Sequence, residues 1–135
     1  MTYMQRIELP DPAASRRSRG VTACAAGRMG EDSVLRDYQA RGYAEIARRW
    51  RGQAGEIDLI LRRDGEYVFV EVKKSARHDQ AALRIDRRQM DRICNAALEF
   101  CAGTAQDMLT PMRFDAALVD QFGRVEVIEN AFDMA

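Results

Sequence analysis

The chain is poor in the residues that build zinc sites and disulfide frameworks: 135 residues include one His and three Cys. Cys94 and Cys101, seven apart in an expected helix, would stand about 10 Å apart along its axis, too far for a disulfide. The cysteine spacing fits no zinc pattern, and all three read as buried thiols of a reducing compartment. His78 has no second His or Cys at ligand spacing and reads as a loop residue. No stretch approaches the roughly 18 consecutive apolar residues of a membrane span, and the first twenty residues lack the apolar core of a signal peptide. A cytoplasmic protein with no membrane partner is the expectation. Phosphate-cradling glycine loops, nucleophile elbows and dinucleotide motifs are missing too, which excludes the enzyme classes built on them.

Net charge is also lacking. Twenty-one Lys plus Arg balance 21 Asp plus Glu, so bulk charge argues for neither a nucleic-acid binder nor an acidic tail protein. The distribution is uneven: residues 36–92 carry 14 basic and 10 acidic groups, residues 94–135 carry 2 and 7. Nineteen of the basic residues are Arg, whose planar fork suits bidentate pairing with carboxylate or phosphate. With 47% apolar and 31% charged side chains, the length suits a single domain with an ordinary core.

Residues 1–20 hold Pro10, Pro12 and the basic run Arg16, Arg17, Arg19 with few large apolar groups, and read as a flexible extension; residues 21–135 form the domain. From about Thr22 to Arg41, Ala26, Met29, Val34, Leu35 and Tyr38 recur at helical spacing, with Gly42 as a stop. A short strand is expected over 43–49 and a loop over 50–55. EIDLILRR and YVFVEVKK flank Asp64-Gly65, a strong hairpin signal. Ala82, Ile85, Ile93, Ala97 and Phe100 predict a second helix over 79–102, and RFDAALVD and RVEVIE predict two more strands. The order α-β-β-β-α-β-β implies an α/β chain, an α+β or three-layer sandwich around a mixed sheet.

A two-residue turn on Asp64 and Gly65 pairs positions whose numbers sum to 129, so Asp58 falls opposite Glu71 and Glu56 opposite Lys73. Glu71 and Lys73 share a face by period-two alternation. Like charges directly opposed destabilise a sheet unless something positive lies between them. The candidates are Lys73, a nearby Arg, or a divalent metal such as Mg²⁺, whose oxygen ligands lie about 2.0–2.1 Å away; a metal suits the gap best. Glu31 sits on the apolar stripe of the first helix with Val34, Leu35 and Tyr38, where a charge needs a partner. Gln89 likewise interrupts the stripe of Ile85, Ile93 and Ala97. Together they point to a polar pocket on the inner side of the helices.

GEIDLI at 55–60 followed by VFVEVK at 68–73 resembles the YraN family of endonuclease-like proteins, which belongs with the PD-(D/E)XK nucleases and is similar to archaeal Holliday-junction resolvases. Gly30-Glu31, Gly42-Tyr43, Arg49-Trp50-Arg51, Gln89, Arg113-Phe114-Asp115 and Asn130-Ala131-Phe132 extend the resemblance across roughly residues 25–133. It implies a restriction-endonuclease-like fold, Asp58 and Glu71 as acidic ligands of Mg²⁺ or Mn²⁺, Lys73 as the motif lysine, and Glu31 as a helix-one acid. Two departures stand out: Lys74-Ser75 replaces the usual Thr-Arg, with Arg77 as a conceivable substitute, and Glu56 replaces the leading Pro of the motif.

The implied activity is metal-assisted hydrolysis of a phosphodiester in nucleic acid, DNA rather than RNA and branched DNA among the substrates, by a monomer or a homodimer. Gln89 would position substrate. Arg77, Arg84, Arg87, Arg88 and Arg92, with Arg48, Arg49 and Arg51, would line a phosphate track, although surface solubility explains any one of them. Trp50 fits a core position and a base-stacking platform equally. Two rival functions fit the same residues: a nuclease-fold module that binds nucleic acid without cutting it, and a structural adaptor that uses the acidic C-terminal half.

Overall fold

Asp64 and Gly65 both adopt left-handed backbone, with φ of 53° and 81°, as the tight turn of a two-residue hairpin requires. The computed structural model describes residues 19–74, 86–103 and 111–132, with side chains from residue 29 onward. The hairpin joins β2 (Glu56–Arg63) to β3 (Glu66–Lys74), in a register that keeps the sum of 129 from Arg63↔Glu66 to Leu59↔Val70. β1 (Ala44–Arg51) pairs antiparallel with β2. β4 (Met112–Val119) runs parallel to β3, and β5 (Val125–Phe132) antiparallel to β4. The sheet order is therefore β1-β2-β3-β4-β5, with β3 central.

Helix α1 (Arg19–Ala40) precedes the sheet and α2 (Arg87–Gly103) lies between β3 and β4 in the chain. Alternation along the strands sorts the core into two layers. Val34, Leu35 and Tyr38 of α1 cover Leu59, Leu61, Val68, Val70, Ala117 and Val119 on one face. Ile93, Cys94, Ala97 and Phe100 of α2 cover Ile60, Tyr67, Phe69, Phe114 and Phe132 on the other. Among the described residues the result is a mixed five-stranded sheet between two helices, in the expected element order.

The ends of the helices follow from local chemistry. The amides of Gly42 and Tyr43 donate to the carbonyls of Gln39 and Tyr38 at 3.0 and 3.2 Å, and the Tyr43 ring stands edge-on to Tyr38, with centroids 5.1 Å apart. This is the paired hydrogen-bond stop with its apolar contact. At α2, Asp86 Oδ1 accepts the Gln89 amide at 2.8 Å, so Asp86 is an N-cap. The helix therefore starts at Arg87 rather than at the expected 79. Residues 79–85 lie outside the described residues, as do residues 1–18; α1 takes in Arg19 and Gly20, which the sequence assigned to the extension. Trp50 belongs to β1 rather than to a loop, and packs edge-on against Phe100 at 5.6 Å as a partly buried residue at the edge of the α2-side core. Cys94 and Cys101 are free and buried. Among the described residues no helix is long and apolar enough to cross a membrane.

Candidate active site

The strand ladder of the hairpin stops one residue short of the acidic positions. Beyond Leu59↔Val70 the Asp58 side chain takes over: its Oδ2 accepts the backbone N–H of Val72 at 2.8 Å. The strands part there, and a cavity of about 260 Å³ opens on the α2 side, lined by Glu56, Asp58, Glu71, Gln89, Arg92 and Ile93. The opposition of Asp58 and Glu71 expected from the register is present as a carboxyl–carboxylate contact. Burial raises the Asp58 pKa first, and a hydrogen bond shared with Glu71 and the Glu71 charge raise it further, against the lowering pull of the Val72 amide. The result is about 8, from an ordinary 3.8. Burial and the facing Glu71 carboxylate thus hold the Asp58 carboxyl well above the ordinary carboxylate range.

Glu71 is 7% exposed and held from two sides. Lys73 Nζ lies 3.4 Å from Glu71 Oε2, and Gln89 Nε2 donates to the same oxygen. Gln89 can reach it because the Asp86 cap fixes the first turn of α2 with residues 89, 92 and 93 toward the sheet. The expected pairing of Glu56 with Lys73 does not form: Glu56 meets Arg51 at 2.7 Å across β1 and β2, while Lys73 turns to Glu71.

Glu31 does not join the acidic pair. It is 8% exposed on α1 and pairs with Arg49 Nε at 3.0 Å, because the left-handed backbone of Arg49, with φ of 50°, redirects that side chain within β1. Among the described residues no three acidic, histidine or cysteine side chains converge as a metal-holding group. The donor set of the cavity is thus two facing carboxylates with open space beside them. That suits Mg²⁺, which commonly takes one or two carboxylates and fills its octahedron with water and substrate phosphate. Asp58 and Glu71 are the residues that would hold it, and a cation there would offset the opposition of their carboxylates.

The basic residues divide into two sets. Arg48 pairs with Asp32 and with Glu45, Arg49 with Glu31, Arg51 with Glu56, and Arg87 with Asp91 at 2.8 Å. Arg88 and Arg92 are exposed and form no ion pair with a described residue. Arg77, Arg84 and His78 lie outside the described residues.

Two acids essential to the layout had no role in the sequence reading, which named Asp115 only within a motif and did not name Glu99. Glu99 of α2 accepts the amides of Gln53 and Ala54 at 2.8 and 2.6 Å, which pins the loop that leads into Glu56 and Asp58 onto the helix that carries Gln89 and Arg92. Gly55 of that loop rests against the stem of Arg92: a Cβ there would lie 3.5 Å from Arg92 Cβ. Asp115, fully buried, accepts from Tyr38 Oη at 2.7 Å, Arg113 Nε and Nη2 at 2.8 and 2.9 Å, and the Asn130 amide at 3.0 Å. Both carry the signal that pointed to Glu31, an acid inside an apolar run: Ala96 and Phe100 flank one, Phe114 and Ala116 the other.

A three-layer α/β domain with an opposed acid pair, a lysine two residues on and a glutamine from the crossover helix defines the class. Residues 30–119 match the model of the family described as Uncharacterised protein family UPF0102, and the chain belongs to that family. It is 56% identical over 113 residues to UPF0102 protein RSKD131_0118 of Cereibacter sphaeroides strain KD131, covering 84% of this chain and 97% of that protein. It is 56% identical over 115 residues to UPF0102 protein SPO0400 of Ruegeria pomeroyi, covering 85% and 94%. A UPF0102 protein of Dinoroseobacter shibae is 42% identical over 127 residues, 94% of this chain and 95% of the relative.

Proposed function

We propose that the chain is a metal-dependent endonuclease that hydrolyses phosphodiester bonds in nucleic acid, in keeping with the YraN-like, restriction-endonuclease-like motifs of its sequence. The observation that carries this reading is the buried Asp58–Glu71 opposition at an open cavity. An arrangement that costs stability is expected where a site is built for a cation rather than for the fold. DNA, branched DNA included, is the preferred substrate on the strength of the resemblance.

In this mechanism Asp58 and Glu71 would hold Mg²⁺ or Mn²⁺, which would supply Lewis-acid polarisation of the phosphoryl group and a more acidic water. The Gln89 amide and the Val72 N–H fix the two carboxylates, so little reorganisation is needed when substrate enters. The Lys73 ammonium, beside Glu71, orients the attacking water and stabilises negative charge that develops on the phosphoryl oxygens. Arg92, at the cavity wall, meets the entering phosphate.

The test is cleavage of linear, single-stranded and four-way-junction DNA and RNA with Mg²⁺ or Mn²⁺. Glu71→Ala and Lys73→Ala are expected to abolish cutting while nucleic-acid binding stays within a few-fold, and binding is expected to fall steeply with salt. Equal cutting by wild type and both variants would mark a contaminant and overturn the reading. One observation favours a second reading, a module that binds without cutting: the Glu31–Arg49 pair keeps a third acid away from the cavity. Binding to the same panel with no metal-dependent cutting would select it.

A further inference from the structure

We propose that Arg92 and Arg88 read two successive phosphates of one strand, Arg92 the phosphate at the cavity and Arg88 its neighbour. The site then takes a continuous strand with at least one phosphate beyond the scissile bond, not a free nucleotide or a dinucleotide. The inference rests on the endonuclease reading and specifies its substrate.

Gln89, Arg92 and Ile93 line the cavity because residues three and four apart share a helix face. Arg88 lies one turn before Arg92, about 6 Å along the axis and about 40° around it. That separation is of the same order as the step between successive phosphates of a strand. The two side chains therefore form a short stripe that begins at the acid pair and leads away from it toward the start of α2.

Charge compensation sets this stripe apart from its surroundings. The other arginines near the site, Arg48, Arg49, Arg51 and Arg87, each lie against a carboxylate, whereas Arg88 and Arg92 meet no described carboxylate. Asp91, which neighbours Arg92 in sequence, is engaged by Arg87 one turn earlier. Asp86 is turned to the Gln89 amide as the helix cap. Gly55 packs against Arg92 Cβ, and Arg92 is an exposed residue in the cavity lining. Two guanidiniums that meet no carboxylate among the described residues, in line with the acid pair, suit the repeating charge of a strand, and a single small phosphate would leave Arg88 unused.

Ethylation interference on end-labelled DNA tests this wherever in the strand the cut falls. DNA carrying about one ethylated phosphate per molecule is cut with Mg²⁺, and the cut and uncut fractions are compared. With wild type, ethylation of one phosphate adjacent to each cut is expected to suppress cleavage. With Arg88→Gln that position should cease to matter, while the cutting rate falls about tenfold, the size of one charge-assisted hydrogen bond. The salt dependence of binding should also drop by about 0.7–0.9 in its logarithmic slope, the share of one neutralised phosphate. Arg41→Gln, at the hairpin end of the sheet, should cut with the wild-type rate and pattern. Cleavage by Arg88→Gln with unchanged rate and interference pattern would overturn the two-phosphate assignment alone. Absence of any wild-type cutting that Glu71→Ala abolishes would overturn the endonuclease reading and this inference with it.

Discussion

Asp58 and Asp115 are aspartates on neighbouring parts of the same sheet, and the chain treats them in opposite ways. Asp115, on the α1 side, has four donors on its two oxygens, including a bidentate guanidinium. Its partners respond: the Tyr38 phenol is pushed far above its ordinary range by burial and then by Asp115, and the Arg113 guanidinium is held protonated chiefly by its hydrogen bond to Asp115. Asp58, on the α2 side, has one backbone donor and faces a second carboxylate. A compensated buried acid ties elements together, here α1 and the end of β5 to β4. An uncompensated one stores unfavourable free energy that a ligand can release. The contrast separates an acid tied into the fold by four donors from one that faces a second carboxylate at a cavity.

The largest test of that contrast is Asp115→Ala, which takes from the buried Tyr38 phenol its acceptor and from Arg113 its bidentate partner, and is expected to cost about 3–5 kcal/mol in a urea melt. A loss below about 1 kcal/mol would break the comparison. Glu99 is an intermediate case, an acid with two backbone donors that serves the site through the loop it holds. Glu99→Ala should cost about 1–3 kcal/mol and should also blunt the stabilisation by metal, since the loop leads into Asp58. A full metal response in that variant would show that the loop does not set the site.

A third test, which needs no substitution in the core, is the pH dependence of stability without metal. In the folded state the Asp58 pKa is raised to about 8 from 3.8, so the folded chain binds a proton that the unfolded chain has lost. The stability this provides is complete below about pH 4 and disappears as pH rises through about 8, with a slope of at most about 1.4 kcal/mol per pH unit. Melts in EDTA between pH 5 and 9 should show this decline for wild type and not for Asp58→Asn. A wild-type profile that rises over the same range would mean that Asp58 is ionised and satisfied.

Local chemistry makes much of this legible in the sequence. Asp64-Gly65 determines the turn, the turn determines the register, and the register brings Asp58 toward Glu71 before any tertiary contact is known. The same arithmetic fails past Leu59, because Asp58 replaces the next rung with its own side chain, and so Glu56 is released to Arg51 instead of Lys73. Gln89 is recognisable as a polar break in an apolar stripe. The start of α2 is misplaced although Asp86 and Gln89 have the spacing of a capping box, because the apolar pattern upstream continues in phase. Glu31 gives a true signal of a needed partner, but that partner, Arg49, depends on a left-handed residue inside a strand that no propensity indicates. The Tyr38–Asp115 bond joins positions 77 residues apart, a long-range pairing that period and composition do not encode.

Thermal melts of wild type and Asp58→Asn at neutral pH in EDTA, Mg²⁺, Mn²⁺ and Ca²⁺ test most directly whether the opposed pair is a cation site. Asn can keep the Val72 bond and donate to Glu71, so Asp58→Asn should equal or exceed wild type in EDTA. Metal at about 100 times its dissociation constant should stabilise wild type by roughly 2.7 kcal/mol, a rise of several degrees for a domain of this size, and should leave the variant nearly unchanged. A wild-type melt insensitive to millimolar metal, together with an Asp58→Asn protein clearly less stable than wild type in EDTA, would contradict the account and make Asp58 a structural hydrogen-bond partner.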